Sequence, residues 1–338
     1  MRQFVRSEYP LVMILVIGGA GYIGSHMCKL LRQSNEPHVI MDNLENGHIQ
    51  AVKDSPFEQG DLRNPEDLRR VFQKYPIDTV MHFAAYIYVG VSVREPGKYY
   101  LNNTSGVLTL LEEMRKANIS KFIFSSTAAI FGEPKYVPID EGHPKNPKNP
   151  YGDSKYAVER MLESFDVAHG LKSVCLRYFN ACGADPDGEL GEHHDPEEHL
   201  IPLVFHAATG KRADIKLFGT DYDTPDGTCV RDYVHIMDLA QAHLLAVRHL
   251  RGGGESKRYN LGNGKGYSVR EVIDTVEKVI GRPVPKSEAP RRAGDPARLI
   301  ASSALIEKEL GWRPQYTELE TIVRHAWTWF EKNPNGYV

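Results

Sequence analysis

Tyr151 and Lys155 stand four residues apart in the run YGDSK, a spacing that puts two side chains on one face of a helix. An ammonium beside a phenol favours the phenolate and lowers a pKa that is ordinarily about 10. A phenol tuned in this way is a general base near neutral pH. The same pair occurs by chance on solvated helices, so its surroundings decide. The run KFIFSS at Lys121–Ser126 reads as a strand and Thr127 follows it, which delivers hydroxyls to a strand end. From there Thr127 can bond a reacting hydroxyl and share a proton path with Tyr151.

A second set of residues suits a dinucleotide. Gly18, Gly21 and Gly24 recur at three-residue intervals in GGAGYIG. Glycine removes the Cβ where the chain turns sharply and where a pyrophosphate must approach the backbone. The helix that follows aims its first N–H groups at that phosphate. Asp42 ends the next apolar run, about 20 residues on, where a carboxylate accepts hydrogen bonds from an adenosine ribose. It would repel a 2′-phosphate, so NAD is expected rather than NADP. Asn43 and Asn46 add polar groups beside the ribose, Asp61 can receive the adenine amino group, and Lys155 can also hold the nicotinamide ribose. Tyr22, Ile23, Leu62, Phe83, Asn102, Ser125 and Tyr178 complete the expected cofactor set.

These residues need a frame. The continuous apolar run MILVIG at Met13–Gly18 predicts a buried parallel strand. Further strands are predicted at Val39–Asp42, Thr79–Ala84, Lys121–Ser126 and along SVCLRYFN to Asn180. Between them lie helical stretches at Tyr22–Gln33, Pro65–Lys74, Lys98–Ala117 and Lys155–His169. Strands alternating with helices predict an α/β fold, a Rossmann-like doubly wound parallel sheet. Beyond Asn180, Ala184–Glu198 reads as an exposed loop. Helices are expected near Ile201–Thr209, Met237–Leu250, Ser268–Ile280, Ala304–Glu309 and Leu319–Lys332, with a short strand at Lys216–Phe218. The organisation expected is an extension at 1–12, an NAD-binding Rossmann core at 13–180, and a smaller mixed α/β C-terminal substrate lobe at 181–338. Segments around 230–250 are expected to return to the core.

Bulk properties exclude several classes. A formal net charge of −3 over 338 residues gives no electrostatic footprint for a nucleic acid. No apolar run nears the roughly 20 residues of a membrane span. Residues 1–12 lack the pattern of a signal peptide, so a cytoplasmic location is expected. Cys28, Cys175, Cys182 and Cys229 match no zinc spacing. They read as reduced structural thiols, and no metal is expected.

The motifs converge on one resemblance. With the glycine turn and Y-x-x-x-K stand HFAA at 82–85, VGVSV at 89–93, YYLNN at 99–103, LRYFNACGA at 176–184, HLIP at 199–202 and FGTDYDTPDGTCVRDYVHIMDLA at 218–240. From Met13 onward the chain resembles the nucleotide-sugar 4-epimerases of the extended short-chain dehydrogenase family. The resemblance implies a UDP-sugar substrate and tightly bound NAD. UDP-glucose and UDP-galactose would interconvert through a transient 4-keto sugar, with Tyr151, Lys155 and Thr127 as the catalytic triad. It assigns Arg231 and Arg292 to the diphosphate, Asp295 to the uridine ribose, Phe218 to the uracil pocket, and Asn180, with His199 and Leu200, to the sugar or its phosphate. It also implies a homodimer joined through the helices near 98–117 and 155–169. Several positions depart from the family pattern. His199 replaces a frequent Asn, Asp153 a frequent Lys, and Ile87 and Tyr88 replace polar residues. Leu299 occupies the position said to gate N-acetylated sugars. A 4,6-dehydratase would carry Asp-Glu where this chain has Ala128-Ala129. A UDP-N-acetylglucosamine or uronate epimerase, and a non-catalytic NAD-sensing protein, are the alternative readings.

Overall fold

In a computed structural model, residues 12–292 and 294–338 are described. The expected extension lies outside them except for Val12. Strands β1 (Met13–Ile17), β2 (His38–Asp42), β3 (Phe57–Gln59), β4 (Ile77–His82), β5 (Lys121–Thr127), β6 (Lys172–Tyr178) and β7 (Lys257–Leu261) form one sheet in the order β7-β6-β5-β4-β1-β2-β3. Every neighbouring pair is parallel.

The apolar run in β1 follows from burial on both faces. Ile14 and Val16 enter one cluster with Met27 and Leu31 of the Tyr22–Gln33 helix and Leu239 and Val247 of the Ile236–Arg251 helix. Leu15 and Ile17 enter another with Leu68 and Val71, Leu110 and Leu111, and Val158 and Leu162, from three helices on the opposite side. A strand covered on both faces has no solvent side on which to alternate. Each such aliphatic side chain contributes about 1.5–3 kcal/mol when fully buried.

The chain leaves β1 toward β2 and β3, then returns to β4 on the other side of β1. That reversal opens a crevice above the carboxyl ends of β1 and β4, the switch point at which open α/β sheets bind ligands.

Three departures from expectation shape the site. The strand expected to run to Asn180 stops at Tyr178. Asn180–Cys182 instead pairs with Tyr233–His235, because the Asp232 carbonyl accepts both the Asn180 N–H at 3.1 Å and its side-chain amide at 2.9 Å. The helix expected at Lys98–Ala117 is an α-turn at Pro96–Tyr99, a π-helix at Tyr100–Gly106 and an α-helix at Val107–Lys116. The wider π-turn contains Asn102 and the buried Asn103, whose amide clamps the backbone N–H and carbonyl of Tyr86; such turns recur at functional sites. The helix expected from Lys155 begins at Pro150, where Asn149 Oδ1 accepts the Gly152 N–H at 2.9 Å. This N-cap with proline behind it fixes where the helix starts and places Tyr151 in its first turn.

After β6, the Ile236–Arg251 helix covers the sheet beside the Tyr22–Gln33 helix, and β7 adds a strand beyond the 230–250 segment. Ile306 of the Ala304–Leu310 helix and Trp312 also join the sheet-side cluster, while the other C-terminal elements share a second core that includes Ile201, Phe205, Val272, Ile273, Ile322 and Trp329. A three-stranded sheet there joins Val230–Arg231, Tyr267–Ser268 and Arg298–Leu299, setting Leu299 beside Arg231.

Candidate active site

Above the switch point lies a cavity of about 490 Å³. Its floor is the glycine turn. Gly18 has φ +81°, and a Cβ there would stand 2.5 Å from the Ala84 nitrogen; a Cβ on Gly24 would stand 2.2 Å from the Gly18 carbonyl oxygen. Both are therefore demanded by the close approach of β1, β4 and the following helix. Gly21 differs: its Cβ position meets only the Gly18 oxygen, at 3.4 Å, so the backbone there is open to approach. Asp42 is buried at the end of β2, where its two oxygens accept the Ala20 N–H at 3.0 Å and the Leu44 N–H at 2.8 Å. Burial raises its pKa against the pull of these bonds. Tyr22, Ile23, Asn43, Asn46, Leu62, Phe83 and Asn102 also line the cavity. An open glycine backbone at a helix N-terminus with a carboxylate at the next strand end fits NAD.

Thr127, Tyr151, Lys155 and Tyr178 converge on the same cavity. Thr127 ends β5, and its hydroxyl oxygen accepts the Ala129 N–H at 3.1 Å, which fixes its rotamer. The Tyr151 phenol lines the same cavity. Burial pushes the Tyr151 pKa up and the Thr127 side chain opposes that push. Lys155 is buried, donates to the Ser125 carbonyl at 2.9 Å and stands 4.9 Å from the centre of the Phe124 ring. Burial alone draws its pKa from 10.5 to about 7. Its ammonium is directed to the end of β5 rather than to the phenol.

The C-terminal lobe supplies the opposite wall with Asn180, His199, Arg231, Asp295 and Leu299. Arg231 donates to the carbonyls of Val230 and Pro296 at 2.8 and 2.9 Å and pairs with Asp295. Five expected residues do not line the cavity. The Arg292 guanidinium lies 4.0 Å from the centre of the Phe218 ring, so these two stack on each other. Leu200 packs against the C-terminal core. Asp61 is held by Arg63, which draws its carboxyl down to about 2, and by the Asn43 amide at 3.0 Å. The Ser125 hydroxyl is buried 3.2 Å from His243 Nε2.

The segment read as an exposed loop holds the residues that sequence reasoning missed. It is stitched down: Lys29 donates to Asp185 at 2.7 Å and Tyr88 to the Pro196 carbonyl at 2.8 Å, and just before it Tyr22 donates to the Gly183 carbonyl at 2.7 Å. Glu192 and His194 thereby reach the cavity wall beside His199. With Glu197 they bring four donor atoms within 4.8 Å of one another. The spacing E-x-H-x-x-E-x-H was the available signal, and a search led by cysteines passes over it.

The family model described as the NAD dependent epimerase/dehydratase family matches residues 14–262. The chain belongs to the NAD dependent epimerase/dehydratase family. Among relatives, the UDP-glucose 4-epimerase of Halalkalibacterium halodurans is 53% identical, over 96% of this chain and 97% of its own. The crystal structure of UDP-glucose 4-epimerase from Brucella ovis in complex with NAD is 48% identical with a TM-score of 0.92, covering 94% of this chain and 98% of that one. The enzyme from Bifidobacterium longum in complex with NAD+ and UDP is 40% identical with a TM-score of 0.91, over 96% and 100% of the two chains. The similarity to these epimerases thus extends beyond residue 262, where the family model's match ends, into the C-terminal lobe.

Proposed function

We infer that the protein is a UDP-glucose 4-epimerase, inverting C4 between UDP-galactose and UDP-glucose. The observation that carries this reading is that Tyr151, Thr127, Lys155, the open glycine turn and Arg231 all line one cavity. NAD, when bound, supplies reversible hydride exchange at the sugar C4. Gly18, Gly21 and Gly24 make room for its pyrophosphate, with Tyr22 and Ile23 at the helix start. Asp42 accepts from its ribose, and Lys155 holds the nicotinamide-side ribose.

Tyr151 takes the proton of the sugar 4-hydroxyl and later returns it, with Thr127 bonding the same oxygen. General acid–base catalysis of this kind contributes about 10²–10⁴-fold. Inversion requires the sugar to present its other face, so the grip must lie on the nucleotide and diphosphate. Arg231 suits that task, because a guanidinium matches phosphate oxygens with a fork of donors. Asn180 and His199 face the same space. Asp295 is assigned to the uridine ribose, and Phe218 and Arg292 extend the nucleotide site beyond the cavity. Walls that exclude water keep a 4-keto sugar from side reactions. Ala128 and Ala129 line the cavity without a carboxyl group to expel water from the sugar.

A second reading concerns breadth. Leu299 lines the cavity, and its size, between a tyrosine and a small residue, suits partial acceptance of UDP-N-acetylhexosamines. A homodimer is supported by the exposed Leu101, Leu108 and Tyr100, at 66%, 42% and 39%, on the helical stretch expected at the interface. Four buried free cysteines suit a reducing cytoplasm, and no described helix is long and apolar enough to cross a membrane.

The test is turnover of UDP-galactose to UDP-glucose without net NADH, side by side with UDP-N-acetylgalactosamine. Absence of UDP-glucose from the NAD-loaded protein would refute the reading.

A further inference from the structure

Glu192, His194, Glu197 and His199 form a compact set outside the catalytic pair. His199 Nδ1 lies 2.9 Å from Glu192 and 3.0 Å from Glu197, and His194 Nδ1 lies 3.4 and 3.6 Å from the same two carboxylates. A tetrahedral zinc site with bonds of about 2.0–2.1 Å separates its ligand atoms by about 3.3 Å. These four histidine–carboxylate separations bracket that value, and the four donor atoms all lie within 4.8 Å of one another.

The side chains of Glu192 and Glu197 are only 7% and 6% exposed. Among the described residues no lysine or arginine pairs with either; Lys29, the nearby candidate, is taken by Asp185, Asp187 and Glu189. Two buried carboxylates require a countercharge. Glu192 Oε1 and His194 Nδ1 are buried atoms with no aligned hydrogen-bond partner, although each points into the cluster. Glu197 Oε1 is oriented from outside by the N–H groups of Glu198 and His199 at 2.9 and 2.8 Å, as outer contacts orient metal ligands. Imidazole and carboxylate together suit a borderline divalent ion better than magnesium or calcium.

We propose that Glu192, His194, Glu197 and His199 bind one divalent transition-metal ion of the zinc class in the cavity wall, pinning the 184–199 segment to the start of the Leu200–Ala208 helix. Glu192, His194 and His199 line the same cavity as Tyr151, but the proposal stands on the geometry of the four donor atoms and does not depend on the epimerase reading. The competing arrangement is a metal-free pair of imidazolium–carboxylate contacts.

The experiment uses the full NAD-bound chain, stripped with EDTA, exposed to Zn²⁺ alone, freed of excess and analysed for metal. Cobalt substitution then reads the ligand geometry. The expected result is about one zinc per chain and the visible bands of four-coordinate cobalt without thiolate charge transfer. His194→Ala and Glu197→Gln should each weaken retention by at least about 10-fold. Wild-type protein that keeps no zinc, cobalt spectra showing thiolate ligation, or variants that keep a full equivalent would each overturn the proposal. If a variant does not fold, the wild-type metal content and cobalt spectrum decide alone.

Discussion

The parallel sheet and the 184–199 segment solve the same problem by opposite means. The sheet holds its half of the cavity with aliphatic side chains on both faces. The segment, which with Asn180, Arg231, Asp295 and Leu299 lines the opposite wall, is held by charges and hydrogen bonds from Lys29 and Tyr88. Apolar packing is not directional, so the sheet tolerates changes of shape that keep volume. A buried polar set fails when any one member loses its partner. The two halves should therefore break differently, the first through folding and cofactor, the second through the nucleotide sugar.

The sharpest separation comes from the residue between them. Tyr151→Phe should lower kcat at least about 100-fold while leaving NAD content and thermal stability unchanged. Steady-state kinetics on protein of measured NAD content would check it, and a small loss would remove the phenol as base. Next, Arg231→Ala should raise KM for UDP-galactose by about 10–100-fold, as expected for a lost charge-assisted hydrogen bond, again with NAD retained. Loss of NAD in that variant would blur the division. Gly24→Ala should do the reverse. Its methyl would meet the Gly18 carbonyl at 2.2 Å, a clash of the kind that costs about 1–3 kcal/mol. Urea melts and the NAD content of the purified variant would show both effects.

A smaller effect tests the sheet half without touching the cavity. Glu113 is buried, and its bonds with Arg69 and Lys116 draw its pKa from 4.5 to about 2 against the effect of burial. A carboxyl depressed on folding stabilises fully above its unfolded pKa. That contribution fades as pH falls from 4.5 toward about 2. Glu113→Gln should flatten the acid limb of stability against pH, measured by urea unfolding, and leave kcat alone. Smallest in stability is Leu101→Glu with Leu108→Glu. Light scattering should show monomers in place of dimers, and an unchanged mass would discard that interface.

What was legible in the sequence follows the same division. MILVIG and KFIFSS announced buried strands because two-sided burial forces continuous apolar runs, and the glycine turn announced its own contacts. The 2–3-residue strands at Phe57–Gln59, Val230–Arg231 and Arg298–Leu299 are too short to carry a period. The π-turn at Tyr100–Gly106 has no propensity signature. The 184–198 segment misled because Asp, Glu, His and Gly usually mark solvent, and only tertiary partners such as Lys29 and Tyr88 reveal that they are packed. Lys155 shows the same limit: spacing placed it on the face of Tyr151, but not the direction in which its ammonium points.

The most direct test uses UDP-galactose deuterated at C4, incubated with the NAD-loaded protein in ordinary water. Hydride exchange at C4 with Tyr151 handling only the hydroxyl proton predicts UDP-glucose that keeps its deuterium, with no free NADH. Deuterium washed out to solvent would mean that the C4–H bond is broken as an acid, and would contradict the account.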